Sequence, residues 1–299
     1  MKPRPLFKAL LQIVTGATMR SLPVPDVTAS EALRLCASSI KDADLARRLQ
    51  KVEGAVALAE GIYRERGAEG QLHAIAKAAI VGDSVTGKEM ERVYNGTFVK
   101  SVKTKRIYAG LKKVCVNDIC PLCGQGTVRQ LDHYLPITGY PVFGVTAANL
   151  VPACSDCNKN KLAHIPASAS EQTIHPYFDS FGDERWLYGE VVESEPAAVR
   201  FMVKPPDSWG EVDCGRVSTH FRIYKLGALY ATHAGVEISN MRHYLKKLSS
   251  VDEGGARVRG YLAERAESCA FVHENSWQRV TFEALHASDW FCAGGFEKT

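Results

Sequence analysis

The fold of this chain is set by "CSDCNKNK", residues 154–161, together with "CPLCG" at residues 120–124. Each stretch carries two cysteines three positions apart, and thirty residues lie between the two pairs. Two such pairs supply four thiolates, which is the ligand set and spacing of a structural Zn²⁺ site. Because four thiolates leave no open coordination position, this zinc is expected to stabilise the fold and to take no part in chemistry. The predicted ligands are Cys120, Cys123, Cys154 and Cys157.

The composition indicates a folded, mildly basic protein. The 299 residues are 45% hydrophobic with a net charge of +4, which is compatible with a polyanionic partner without requiring one. No apolar run approaches the ~18 residues that span a bilayer, and we expect a cytoplasmic protein with no membrane partner. Nine cysteines without a secretory signal favour metal ligation or burial over disulfides. The five isolated cysteines are expected to pack in the core: Cys36, Cys115, Cys214, Cys269 and Cys292.

The sequence pattern predicts an α+β fold in four regions. These are a helical N-terminal region (1–84), a basic helical lead-in (85–118), a cysteine-bearing module (119–179) and a mixed α/β C-terminal region (180–299). Helical spacing in the first region predicts one buried stripe of Leu45, Leu49, Val52, Val56, Ala59 and Ile62. In the last region, "RWLYGEVVE" and "AVRFMVK" flank the turn-forming "SEPA" and predict a β-hairpin.

Between the cysteine pairs, the pattern predicts a strand, a long loop, a second strand and a helix. Val128 and Leu131 indicate a short strand that ends at Asp132 and His133, and "NLVPA" indicates the returning strand. "DCNKNKL" then begins a helix with Asn158 in its first turn. This order can bring the oxygens of Asp132 and Asn158 together as hard ligands for Mg²⁺ or Mn²⁺, distinct from the thiolate site.

At these residues the chain resembles a known family. The pattern "C-x-x-C … L-D-H-Y-L-P … N-L-V-P-A-C-x-x-C-N-x-x-K … H-P-Y-F-D", over residues 120–179, is similar to HNH endonucleases with a ββα-metal (His-Me finger) fold. A weaker likeness, "T-G-K-E-M-E-R-V-Y … I-Y", extends upstream. The third signature position holds Asn158 and not histidine, a variant that many members of the family carry. An amide oxygen also ligates Mg²⁺, so this difference affects metal preference more than activity.

The resemblance implies a role for each matching residue. Asp132 and Asn158 would hold the catalytic Mg²⁺ or Mn²⁺, and His133 would be the general base that takes a proton from water. Asn149 would hydrogen-bond across the loop and keep the base in line. Lys161, one turn beyond Asn158, would contact a phosphate, with a solvated helix lysine as the alternative. His175 in "HPYFD" is expected to be a packed histidine that closes the module.

The lead-in is rich in basic residues. Lys103, Lys105 and Arg106 are predicted to track nucleic-acid phosphates, although a charge run of this kind is also typical of a solvated helix face. The resemblance favours DNA over RNA as the partner. It also implies a setting in bacterial defence or a mobile element, with a partner protein such as a defence-system ATPase. The alternative function is a zinc-stabilised nucleic-acid-binding module that does not cut.

"GDSVTGKE", residues 82–89, nearly matches the phosphate-binding loop G-x-x-x-x-G-K-[ST]. Glu89 stands where a hydroxyl should bind magnesium, and a carboxylate there would repel phosphate. A turn that opens the next helix is therefore the preferred interpretation. Nucleotide sensing at this loop is a third, weaker functional hypothesis.

Overall fold

The computed structural model describes residues 21–182 and 184–298, which divide into one unit at 21–179 and another at 180–298. The first 20 residues of the predicted N-terminal region lie outside the described residues. The unit 21–179 opens with three helices, α1 (Ala29–Ala37), α2 (Ala43–Lys51) and α3 (Glu53–Ala68). Side chains that favour N-cap positions begin the first two: Thr28 accepts from the Glu31 N–H, and Asp42 accepts from the Leu45 N–H.

The predicted hydrophobic stripe is correct at Leu45, Leu49, Val52 and Val56 and wrong at the last two positions. Ile62 is 43% exposed and Ala59 is only half-buried. The buried positions keep the helical spacing beyond Val56 but fall one residue later than predicted, because Glu60 is buried despite being polar. The buried face of α3 is Val56, Glu60, Tyr63 and Gly67. Glu60 is used there as a cap, because its carboxylate accepts a 2.7 Å hydrogen bond from the backbone N–H of Ala29 in α1.

The loop at residues 82–89 is a turn that leads into a helix, as preferred from the sequence. It joins β1 (Ile80–Val81) and β2 (Val85–Thr86), an antiparallel pair, to α4 (Gly87–Arg92). Thr86 and Glu89 form a capping box at the start of α4. The Glu89 carboxylate also lies 2.6 Å from the guanidinium of Arg48. The residues that suggested a phosphate loop thus have a structural use, although "LHAIAKAAIV" before them is a short 3₁₀ turn and strand and not the expected helix.

The predicted strand, loop, strand and helix are confirmed in order and position. β3 (Gln130–His133) pairs antiparallel with β4 (Leu150–Ala153), and α6 (Ser155–Lys161) follows at once. The register sets Asp132 opposite Val151 and His133 opposite Leu150. Before the hairpin, α4 continues through a π-helical turn (Val93–Phe98) to the basic helix α5 (Val102–Lys113), which packs against both strands.

The unit 180–298 is a hairpin with helices, as predicted in outline. β5 (Leu187–Val192) and β6 (Ala198–Val203) pair antiparallel across the expected turn. Five helices follow: α7 (Glu211–Ile223), α8 (Leu226–Ser249), α9 (Gly254–Val272), α10 (Trp277–Ala287) and α11 (Asp289–Cys292). Of the isolated cysteines, Cys36, Cys115 and Cys292 are buried as expected, whereas Cys214 and Cys269 are partly exposed. No helix among the described residues is long and apolar enough to cross a membrane.

Candidate metal and catalytic site

The four cysteines of the two pairs converge on one point. Their sulfur atoms all lie within 4.8 Å of one another, and all four residues are buried. Cys123 Sγ and Cys154 Sγ are 3.9 Å apart. Tetrahedral Zn²⁺ with Zn–S bonds of about 2.3 Å requires sulfurs about 3.8 Å apart, so the donor set fits a metal such as zinc. The cluster joins the approach to β3 to the first turn of α6.

Backbone groups shape this thiol cluster. The N–H of Gly126 points at Cys123 Sγ at 3.3 Å, and the N–H of Cys157 points at Cys154 Sγ at 3.4 Å. A side chain at position 126 would collide, because a Cβ there would lie 2.8 Å from both Cβ and Sγ of Cys154. Hydrogen bonds among the four thiols lower the pKa of Cys123 and Cys154 and raise the pKa of Cys120 and Cys157. A bound metal would favour the thiolate form at all four positions.

His133 is the last residue of β3, and one of its ring nitrogens is hydrogen-bonded. Its Nε2 lies 2.9 Å from the carbonyl oxygen of Gly144. Because a carbonyl oxygen can only accept, Nε2 carries the proton, and Nδ1 of the neutral ring keeps a free lone pair. The ring of Tyr94 packs edge-on against the imidazole at 4.4 Å between centroids. Burial, followed by the charge of Lys161, lowers the pKa of His133 to about 4, so the ring is neutral at pH 7.

Asp132 precedes His133 and is buried, with 7% of its surface exposed. Its Oδ2 lies 3.2 Å from the ammonium of Lys161, which forms an ion pair with it. Burial raises the pKa of this carboxyl, and the positive charge of Lys161 opposes the rise. A buried carboxylate is costly unless a cation is beside it, and Lys161 provides that cation here. The oxygens of Asp132 are also hard donors of the kind that divalent metals bind.

Lys161 is buried. It is 3% exposed, so it is not a solvated helix lysine. Nζ donates to the carbonyl oxygen of His133 at 2.7 Å and lies 3.2 Å from Asp132 Oδ2. The cause is the helical phase of α6, because Lys161 lies four residues after the buried ligand Cys157 and so on the same face. Lys161 thus bridges α6 to the end of β3.

Asn149 is fully buried and crosses the loop as predicted. Its Oδ1 accepts from the N–H of Leu135 at 2.8 Å, and its Nδ2 donates to the carbonyl oxygens of Leu135 at 3.1 Å and Phe143 at 3.4 Å. Phe143 is followed by Gly144, whose carbonyl oxygen holds His133. Asn149 therefore acts on the imidazole through the loop backbone, with no direct hydrogen bond to it among those described.

Asn158 lies in α6, half-buried, one turn before Lys161. Residues three apart share a helix face, and Lys161 marks the face that meets Asp132. Its backbone N–H bonds to the carbonyl oxygen of Cys154, which ties its position to the thiol cluster. The helix thus places Asn158 within one turn of Lys161 and directly after Cys157.

The predicted phosphate-contacting residues of α5 are exposed. Lys103 uses its ammonium locally, donating to the carbonyl oxygen and hydroxyl of Ser38 at 2.9 and 3.0 Å. Lys105 and Arg106 make no ion pair with any described residue. These two remain candidates for a nucleic-acid contact beside the hairpin.

His175 is a packed residue, as expected. It is buried, its Nδ1 accepts from the N–H of Tyr177 at 3.2 Å, and its Nε2 lies 3.2 Å from the hydroxyl of Tyr63. The contributions of Gly144 and of the inward Lys161 were missed from the sequence. A backbone carbonyl leaves no residue-type signal, whereas the spacing of Lys161 from Cys157 did contain one.

Comparison with known proteins finds one related sequence and no related structure. The chain is 28% identical over 295 residues to "Protein ea31" of Escherichia phage lambda, and the alignment covers 92% of this chain and 100% of that protein. No protein-family model matches the chain, and no solved structure matches it. The chemistry of the site therefore carries the functional inference.

Proposed function

We propose that this protein is a metal-dependent HNH endonuclease that hydrolyses phosphodiester bonds in nucleic acid, with DNA the preferred substrate. The observation that carries the proposal is the pair at the end of β3. Asp132 offers a buried carboxylate, and the adjacent His133 is held through Nε2, which leaves Nδ1 free. An oxygen ligand beside a neutral imidazole is the combination that metal-assisted hydrolysis requires.

The donor atoms suit two different metals. The four thiols would hold Zn²⁺ as a structural ion, because they fill a tetrahedral shell. The carboxylate of Asp132 and the amide oxygen of Asn158 are hard donors, and they would hold Mg²⁺ or Mn²⁺. When bound, that cation would polarise a phosphate oxygen and neutralise the negative charge that develops on the leaving oxygen.

His133 is suited to the proton transfer. Nδ1 would accept a proton from the attacking water while the Nε2–H bond to Gly144 keeps the ring oriented. A pKa of about 4 makes a weak base, but the negative charge of a bound phosphate would raise it towards neutrality. Asn149 maintains this geometry by holding the loop on which Gly144 lies. Hydrolysis would leave a 5′-phosphate and a 3′-hydroxyl.

The site is built on a rigid base. The thiol cluster clamps the segment before β3 to α6, so that Asp132 and Asn158, carried by these two elements, keep their relative positions. Lys105 and Arg106 on the exposed side of α5 would contact the nucleic-acid backbone. We place the activity in bacterial defence or a mobile element, with a partner such as an ATPase.

The test is plasmid cleavage by the purified full-length protein with Mg²⁺ or Mn²⁺. Wild type should nick or linearise the plasmid, and His133→Ala should not, while its zinc content and circular dichroism stay unchanged. The matched control is His164→Ala, since His164 lies outside the site and bonds the Glu171 carbonyl at 3.0 Å; it should cut as wild type does. If wild type and His133→Ala treat every DNA and RNA tested identically, the nuclease proposal is wrong.

The exposed basic side of α5 supports a second candidate, a zinc-stabilised nucleic-acid-binding module without catalysis. Binding by Lys105 and Arg106 needs no imidazole. In that case, His133→Ala would bind nucleic acid as wild type does and neither protein would cut. Lys105→Glu with Arg106→Glu would weaken binding and reduce its salt dependence.

A further inference from the structure

The ammonium of Lys161 lies beside the carboxylate that would hold the divalent cation of the proposed nuclease. Nζ lies 3.2 Å from Asp132 Oδ2 and 2.7 Å from the carbonyl oxygen of His133, and the residue is 3% exposed. A positive charge so little exposed to water acts strongly on its neighbours, since solvent screens it poorly. Any cation bound to Asp132 would therefore experience this ammonium directly.

The charges at this spot already cancel. Asp132 contributes one negative charge and Lys161 one positive charge, while the amide of Asn158 is neutral. A divalent cation added to this set would leave two uncompensated positive charges in a poorly solvated place, which is costly. A phosphodiester brings one negative charge for each phosphate. Cation and phosphate together would restore near-neutrality, whereas the cation alone would not.

The geometry leaves the carboxylate able to accept a second cation. Lys161 is anchored by its hydrogen bond to the His133 carbonyl oxygen, and its ammonium also pairs with Asp132 Oδ2 at 3.2 Å. A carboxylate has two oxygens and about four lone-pair sites, so positions for a second cation remain while the ammonium stays in place. Lys161 need not leave for a metal to bind, and its charge then weakens that binding.

We propose that Lys161 is the resident counter-ion of Asp132, and that it makes divalent-cation binding depend on bound nucleic-acid phosphate. This inference rests on the proposed function, because it requires the Asp132 cation site. Thermodynamic linkage makes the effect reciprocal: phosphate tightens cation binding by the same factor as the cation tightens phosphate binding. Lys161 is thus a positioning residue whose charge couples the two ligands.

The experiment is Mn²⁺ titration of the zinc-loaded, full-length protein, followed by electron paramagnetic resonance. Without nucleic acid, Lys161→Met should bind Mn²⁺ at least about tenfold more tightly than wild type, because a unit charge this close to a dication is removed. Lys161→Gln, which also lacks the charge, should behave likewise if the methionine variant folds poorly. Lys161→Arg keeps the charge and is the matched control, with wild-type affinity expected.

A second arm adds a short DNA duplex of mixed sequence in a His133→Ala background, which prevents cutting. The duplex should tighten Mn²⁺ binding at least about tenfold when Lys161 is present, and much less in the Lys161→Met form. Equal Mn²⁺ affinity of wild type and both uncharged variants, with binding lost in Asp132→Asn, would overturn the role of Lys161 while leaving the cation site intact. Absence of Mn²⁺ binding in every variant would instead overturn the cation site and the proposed function.

Discussion

Asn149→Ala perturbs the loop that holds the proposed base without touching either metal site. The substitution leaves the buried N–H and carbonyl oxygen of Leu135 without their partners, and it removes the weaker 3.4 Å bond to the Phe143 carbonyl oxygen. Each buried polar group left unsatisfied costs about 1–3 kcal/mol, so the two groups of Leu135 together should cost unit 21–179 about 2–6 kcal/mol. Cleavage should fall as well, since Gly144 follows Phe143 in the released segment.

The choice of assay matters because all four tryptophans, at 186, 209, 277 and 290, lie in the other unit. Tryptophan fluorescence therefore reports on unit 180–298. Amide hydrogen exchange of peptides within 134–149 follows the loop itself and should accelerate in Asn149→Ala. Urea unfolding monitored by far-ultraviolet circular dichroism gives the free energy of unfolding. Asn95→Ala, at an exposed position, is the matched control and should change stability by less than about 0.5 kcal/mol.

The reasoning would be refuted by unchanged exchange in 134–149, or by a loss of stability no larger than that of Asn95→Ala. Either result would mean that the loop is held by other contacts. The hydrogen bonds of Asn149 would then have no influence on the orientation of His133.

Three further predictions concern the metal and the helices around it. Cys157→Ser should lower the zinc content from one ion per chain and destabilise unit 21–179, measured by metal analysis and circular dichroism; a fully stable, zinc-free variant would contradict a structural role. Gly126→Ala should cost about 1–3 kcal/mol and speed zinc transfer to a chelator, because its Cβ would lie 2.8 Å from Cys154 Sγ. Gly110→Ala, whose Cβ meets nothing within 4 Å in helix α5, is the control and should be neutral or stabilising by up to about 1 kcal/mol. Hydrogen bonds from Arg48 lower the pKa of Glu89 from 4.5 to about 2, so the ion pair stabilises the fold above pH 4.5 and is lost as pH falls towards 2. Glu89→Gln preserves the capping box but removes the ion pair, so it should be less stable than wild type at neutral pH. This difference in the free energy of unfolding should shrink as pH falls from 4.5 to about 2. A difference that does not change with pH would exclude the ion pair as its cause.

The parts of the structure that follow local rules were predictable from the sequence. The spacing of the cysteine pairs predicted a four-thiol cluster, because thiols three apart on a tight turn can bind one ion. The strand ending at His133, the returning strand and α6 were predictable, since each is a short apolar or capped segment. The capping box formed by Glu89 explains why the phosphate-loop match was coincidental.

The remainder depended on contacts between distant segments. The burial of Glu60 and Tyr63 in place of Ala59 and Ile62 depends on the hydrogen bond from the Ala29 N–H to the Glu60 carboxylate, which residue type alone does not reveal. The orientation of His133 by the Gly144 carbonyl depends on loop backbone that carries no residue-type signal. Lys161 was expected at the surface because lysines usually lie there. Its ion pair with Asp132 emerges only once α6 packs on β3.

Crystals of the full-length protein grown with Mn²⁺ and a nucleic-acid duplex test the central claim most directly. Data collected at the manganese edge should show one anomalous peak within about 2.2 Å of a carboxylate oxygen of Asp132 and of the amide oxygen of Asn158, with His133 Nδ1 facing the bound phosphate. A zinc peak at the four sulfurs should be separate from it. A manganese peak elsewhere, or an Asp132 carboxylate and Asn158 amide too far apart to share one ion, would contradict the proposed active site.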